Sequence, residues 1–368
     1  MRTTNGNCGF AAVMAALLLW SLAGCAQHTV SARVMKPAEV NVSAYHNVAV
    51  TDFAGQHGND ISRWTEQALA QVRHDGEPYF KLVARDQLQK IMKEQSLQLT
   101  GAIDPSQTSK VGKVLGVDAI ITGNVSSYRT QDSNFTETRT ESYKCGEKWC
   151  SRNYEVPCIQ REAYVSFNVN FIGVETGAIE VGDSVESQLV AQQCKDTGDK
   201  AGTDFSKAMT GNKYVPMQSP EKMLRQAADQ CVASLVRKVT PYYVTQAVSL
   251  KKEDDDAPMF SSSNEERSLN DKMTAGINYA KSGAWHQAIG SWEEAVKQKP
   301  TCAACHYNLG IGYEMKGDLQ KAKEMYERAA QLRASESDYT QAVGRIQVRI
   351  ADAEALTGQL KGRGKQTK

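Results

Sequence analysis

The sequence predicts an α/β (α+β) domain, a mixed sheet covered by helices, followed by an all-α repeat module. Three patterns carry this reading. Strands and helices alternate from Asn47 to Val125, Tyr164 to Ile172 alternates apolar with polar residues, and a thirty-four-residue period runs through the C-terminal part.

NVAVTDF, from Asn47 to Phe53, reads as a buried strand because Val48 and Val50 alternate with Ala49 and Thr51 beside further apolar positions. Asp60 is placed to cap a helix running to about Val72, and Asp75-Gly76 turns the chain into a second strand, Tyr79 to Val83. A helix with Leu88, Ile91 and Met92 on one face follows. Then come a short helix, Ser106 to Leu115, and a third strand, Asp118 to Val125. Ser126 to Gln160 is polar. From Tyr164 to Ile172, Val165, Phe167, Val169 and Phe171 share one face, and Glu175-Thr176-Gly177 reverses the chain into Ala178 to Leu189, completing a β-hairpin. After a second polar segment, Gln192 to Gln218, Ser219 as N-cap and Pro220 at the first helical position open a strong helix. Its stripe of Met223, Leu224, Ala227, Ala228, Cys231, Val232, Leu235, Val236 and Val239 must pack on the sheet, and it stops near Pro241.

The N-terminus addresses the chain. Arg2 precedes an apolar run, Phe10 to Leu19, that is too short to span a bilayer, so residues 1–24 read as an export signal. Leu22-Ala23-Gly24-Cys25 resembles the lipobox of bacterial lipoproteins. That resemblance implies cleavage before Cys25 and acylation of its thiol, and Ala26 in place of aspartate implies sorting to the outer membrane on its periplasmic face. Acyl chains contribute about 0.8 kcal/mol per CH₂, so several together anchor stably. Residues 25–45 then read as a tether. The formal net charge of +1 supplies no basic excess for phosphates, which argues against a nucleic-acid partner.

The order IMKEQSLQLTG, KVLGVDAIITGNVSSY, FNVNFIGVETGAIEVGDSV and a final amphipathic helix is similar to the curli production assembly and transport component family of outer-membrane lipoproteins. The likeness assigns residues 46–250 to one domain of that kind. It implies a ring-forming periplasmic domain, hence a homo-oligomer, whose inserted hairpins build a barrel for unfolded fibre subunits. The residues oppose the barrel. In Ser126 to Gln160 one parity holds Arg129, Gln131, Ser133, Glu137 and Arg139, and the other Thr130, Asp132, Thr136 and Thr138. Neither offers a lipid face, where a charged Arg or Lys near the midplane costs about 2–4 kcal/mol. Gln192 to Gln218 is more polar still. The expected function is therefore a non-enzymatic scaffold of assembly or secretion; the alternatives are an oligomeric secretion channel and, since their periplasmic lobes share this topology, a lipoprotein activator of peptidoglycan synthases.

Of nine cysteines, Cys8 lies in the signal and Cys25 at its end, leaving an odd seven. Cys231, in an apolar helix stripe, is the candidate free thiol. Cys145, Cys150, Cys158 and Cys194 lie in polar segments and read as two disulfides of an oxidising compartment rather than a four-thiolate zinc site, with connectivity open.

Shifting the chain by thirty-four residues superposes Gly276 on Gly310, Tyr279 on Tyr313, Gly283 on Gly317, Ala288 on Ala322, Trp292 on Tyr326 and Ala295 on Ala329. This resembles the tetratricopeptide repeat. Residues 269–356 hold two such repeats and a cap, with Tyr339, Val343, Ile346, Ile350 and Ala353 facing back; residues 251–268 are a charged linker and 357–368 a basic tail. The resemblance implies a peptide groove on the first helix of each pair that recruits a periplasmic protein partner, with Ile277, Lys281, Tyr307 and Ile311 at matching positions; packing between helices is the competing role for them. Cys302, Cys305 and His306 spell the haem attachment pattern C-x-x-C-H, but they fall at packing positions of the second repeat. A redox dithiol is the other chemical option. No metal spacing, phosphate loop or nucleophile elbow is present, so no cofactor and no catalytic residue is expected.

Overall fold

A computed structural model describes residues 28–84, 90, 105–194, 217–252 and 263–361. The expected export signal, Cys25, the helix expected around Leu88 and most of the second polar segment lie outside them. The chain divides into two compact units, residues 37–242 with 356–368, and residues 1–36 with 243–355.

In the first unit, β2 (Asn47–Val50) pairs in parallel with β5 (Lys81–Leu82) on one side and β6 (Ala119–Cys145) on the other. Antiparallel β7 (Lys148–Gly173) and β8 (Ile179–Cys194) complete a mixed sheet of order β5-β2-β6-β7-β8. The period of two sorts side chains between its faces. Val48, Val50, Ala119, Ile121, Val165, Phe167 and Phe171 join one apolar cluster with Ile61 and Leu69 of α1 (Gly58–Gln71). Ala49 and Ile120 join another, with Val111 of α2 (Pro105–Leu115), Val117 and Val174. The sheet is thus covered on both faces. The Asp118 carboxylate fixes the entry to β2 by accepting the backbone N–H groups of His46 and Asn47, both at 2.8 Å.

Helix α3 (Pro220–Val239) spans the predicted segment and buries Met223, Ala227, Ala228, Cys231, Val232, Leu235 and Val239 against the first cluster. Ser219 caps it, accepting the Lys222 N–H at 3.3 Å, and Pro220 occupies the first turn, where no N–H partner exists. Ser219→Ala is expected to cost about 1 kcal/mol in urea unfolding of this unit. Helix α1 differs from expectation at its start. Left-handed His57, φ 62°, stands at its N-cap, and Asp60 lies inside the first turn, paired with Arg63 at 2.6 Å. The Asp75-Gly76 turn, both residues at positive φ, joins a short hairpin, β3 (Arg73–His74) and β4 (Glu77–Pro78).

The second unit contains β1 (His28–Lys36), which pairs with β9 (Tyr242–Leu250), and five helices: α4 (Asn264–Lys281), α5 (Trp285–Gln298), α6 (Ala303–Lys316), α7 (Leu319–Leu332) and α8 (Ser337–Lys361). The thirty-four-residue period appears as repeated packing. A Cβ on Gly276 would fall 2.2 Å from the Trp292 indole, and one on Gly310 2.7 Å from the Tyr326 ring, so in each pair a glycine admits the aromatic of the second helix. Tyr339, Ala342 and Ile346 of α8 close the stack.

Residues 28–36, placed in the tether by the sequence, form strand β1, and residues 243–250, placed at the end of the α/β domain, cluster in the second compact unit. Val30 and Val34 are the only deeply buried residues of β1, too sparse a signal to mark a strand whose partner lies beyond the whole α/β domain in sequence. Among the described residues no helix is long and apolar enough to cross a membrane.

Candidate functional site

Two regions hold the predicted site residues, one in each unit. The first is the polar segment Ser126 to Gln160. It is not a loop. It belongs to strands β6 and β7, paired continuously from Ala119↔Gly173 to Cys145↔Lys148 with one bulge at Val125 to Ser127. Among the described residues β8 accompanies β7 only as far as Cys158↔Cys194, so the stretch from Thr136↔Pro157 outward is a two-stranded ribbon, about 30 Å long at a strand rise near 3.4 Å per residue.

The pairing settles which side chains share a face. One face carries Glu137 with Val156, Arg139 with Tyr154 and Glu141 with Arg152. The other carries Thr136 with Pro157, Thr138 with Glu155, Thr140 with Asn153 and Ser142 with Ser151. Glu141 and Arg152 form an ion pair, and the Thr140 hydroxyl donates to Asn153 Oδ1 at 2.9 Å. Both faces are polar. At the tip Tyr143 and Trp149 are exposed, with the Arg152 guanidinium 5.5 Å from the Tyr143 ring centroid.

The four cysteines of the polar segments are joined as Cys145–Cys150, across the tip, and Cys158–Cys194, where β8 ends. Glu137 lies close to both sulfurs of the second pair, but sulfurs bonded to each other offer no thiolate to a metal. Cys231 is free and buried, and burial pushes its thiol up to about 11. It is an inert packing group in α3.

The second region is the face of α4 and α6 in the repeat unit. Ile277, Tyr307 and Ile311, expected to line a groove, are 1 %, 3 % and 0 % exposed, in one apolar cluster with Val30, Val248 and Leu250 of the β1–β9 ribbon. Lys281 stays at the surface, 3.0 Å from His28 Nδ1. The Tyr307 ring packs on Tyr326 and Tyr339, 5.7 and 5.1 Å between centroids, so neighbouring helices as well as the chain's own strands bury this face. Cys302 and Cys305 are joined to each other at the start of α6, both fully buried, so neither thiol is available to a haem vinyl group or a redox partner in this state. The His306 ring donates from Nε2 to the Pro300 carbonyl at 3.0 Å, and burial lowers its pKa.

Polar residues that the sequence reading passed over hold this region together. Glu314 on α6 is fully buried. It accepts from Arg349 at 2.8 Å, Arg345 at 3.2 Å, the Tyr326 hydroxyl at 2.5 Å and Gln246 Nε2 at 3.3 Å. Burial opposes its charge, but the two guanidinium groups and the phenol outweigh burial and hold the carboxyl below the usual glutamate range. Asn308, also fully buried, bonds the backbone of Lys251. The available signal is composition: AACHYNLGIGYEMK is mostly small, apolar and aromatic residues, buried around nearly the whole helix, so a carboxylate and an amide inside it need buried partners.

Comparison with known proteins adds the family context. A family model described as "Curli production assembly/transport component CsgG" matches residues 38–262, and one described as "Domain of unknown function (DUF6340)" matches residues 274–347. No curated protein matches the chain. Among solved structures, lipoprotein GNA1162 from Neisseria meningitidis is 11% identical, with 45% of this chain and 92% of that chain covered at a TM-score of 0.25. The PelC dodecamer from Paraburkholderia phytofirmans (space group P6) is 12% identical, covering 58% and 98% at 0.24. The hypothetical protein CT253 from Chlamydia trachomatis is 12% identical, covering 52% and 96% at 0.24. Overlaps this low carry no argument about this chain.

Proposed function

Because this chain belongs to the curli production assembly/transport component CsgG family, we propose that it is an outer-membrane-associated lipoprotein of an assembly or secretion system, acting as a scaffold rather than as the pore. The observation that carries the choice is the pairing of the ribbon. A barrel strand needs alternate side chains that face lipid, and both faces of residues 136–157 carry charges or hydroxyls. A ribbon satisfied by its own ion pairs and hydroxyl bonds is suited to water.

The remaining parts of the role follow from the same premise. Acylation of Cys25 supplies the anchor on the periplasmic face of the outer membrane. The α/β domain associates with copies of itself, a reading supported by the place of β8 at the end of the strand order among the described residues. The helical module engages a further envelope protein, and the role is non-enzymatic.

Single-channel recording from the acylated, detergent-extracted protein in planar bilayers tests the scaffold against the pore. No conductance is expected from protein shown to be folded and inserted through its lipid. Large, stable current steps would establish that the polar strands close into a barrel, and the secretion-channel reading would replace this one.

A further inference from the structure

Residues 246–251 meet the repeat unit in the manner of a bound peptide. Val248 and Leu250, two residues apart and so on one side of the strand, are 5 % and 4 % exposed, in one cluster with Ile277, Tyr307 and Ile311. The Asn308 carboxamide then reads both backbone groups of Lys251. It accepts the N–H at 2.9 Å and donates to the carbonyl at 2.7 Å. The Lys251 ammonium pairs with Asp338 at 2.7 Å and Glu336 at 3.8 Å and lies 5.6 Å from the Tyr339 ring centroid. Gln246 donates to Glu314 at 3.3 Å. Each contact is of a type that peptide receptors use: apolar sites for alternate side chains, a main-chain clamp indifferent to sequence, and an acidic site for one cation.

We infer that the face of α6 and α8 is a receptor for an extended segment with two apolar residues at alternate positions followed by a lysine, and that residues 246–251 of this chain occupy it in cis. A buried carboxamide aimed at one residue's N–H and C=O is the group that makes this a recognition site. An apolar strip alone would hold β9 without it. A cis ligand is present at an effective concentration on the order of millimolar, so a trans segment of the same pattern enters only when β9 leaves. The occupant of the groove is thus set by the chain itself, and any protein that uses this face must displace the strand.

The test uses the full chain and a labelled synthetic peptide of residues 244–252, followed by fluorescence anisotropy. Val248→Asp/Leu250→Asp, which removes the two apolar side chains of the cis segment, is expected to bind the peptide saturably and at least about tenfold more tightly than the wild type, the cis segment competing less. A peptide carrying Leu250→Asp is expected not to bind. Equal binding by wild type and variant, or none by a folded variant, overturns the proposal. Should circular dichroism find the double variant unfolded, amide hydrogen exchange of Asn308→Ala decides. Faster exchange at Val248 and Leu250, whose amides Asn308 does not hold, by roughly tenfold with helices α4 to α8 unchanged supports a separable ligand, and equal acceleration of strand and helices overturns it.

Discussion

Glu314→Ala is expected to destabilise the repeat unit by about 3–5 kcal/mol, because it leaves two guanidinium groups facing a buried site with no counter-charge. Glu314 has no exposed surface, and Arg345 and Arg349 converge on its two oxygens at 3.2 and 2.8 Å while the Tyr326 hydroxyl fills a remaining lone pair. The substitution also frees Gln246 of β9, so the loss reaches the strand as well as the helices. Chemical denaturation followed by the repeat-unit tryptophans Trp285 and Trp292 measures it. A loss below about 1 kcal/mol, the range of an exposed pair, would show the network to be dispensable. The same carboxylate sets an acid limit. Its pKa is lowered in the folded state, so its contribution is complete above the ordinary glutamate range and is lost as pH falls through the lowered value. The wild type is expected to lose repeat-unit stability in that acid window, and Glu314→Ala to lose less of it there.

Removing the Cys158–Cys194 disulfide by paired alanine substitution is expected to cost the α/β unit about 4 kcal/mol, from the loop-closure entropy returned to the unfolded chain by a bridge over thirty-six residues. The bridge ties β7 to β8 at the point where the ribbon continues without a third strand. Its loss is expected to fray β8 first, seen as faster amide exchange from Leu189 to Cys194 before any change at Val181 or Val185, which remain packed on the sheet. The tip bridge, Cys145–Cys150, closes only five residues, and its removal is expected to cost about 2 kcal/mol by the same relation. An unfolding midpoint unchanged by loss of Cys158–Cys194 would mean that pairing alone holds the edge.

The elements legible in the sequence are those whose stabilising contacts lie close along the chain. Helix α3 announces its cap, first-turn proline and apolar stripe within about twenty residues, and the Tyr164–Leu189 hairpin states its alternation and its turn in one segment. The glycine and aromatic pairs of the repeats recur because each helical pair solves the same packing problem. The polar stretch 126–160 hides its strands in the sequence for a physical reason. A strand solvated on both faces has no apolar period, and only the cross-strand partners, Glu141 with Arg152 or Thr140 with Asn153, betray it. Ile277, Tyr307 and Ile311 carry the residue types of either a groove or a core, and composition does not distinguish a surface awaiting a peptide from one already covered.

By itself the sequence determined the α/β domain with its sheet-packing helix, the helical module and the family likeness. Each rests on local periodicity or a short contiguous motif. Tertiary structure alone decided the pairing of β1 with β9, the two cysteine pairings of the hairpin, the burial of Glu314 between two arginines and the seating of residues 246–251 on the repeats. These join residues brought together by the path of the chain. Their free energy depends on a geometry that no stretch of neighbouring residues encodes.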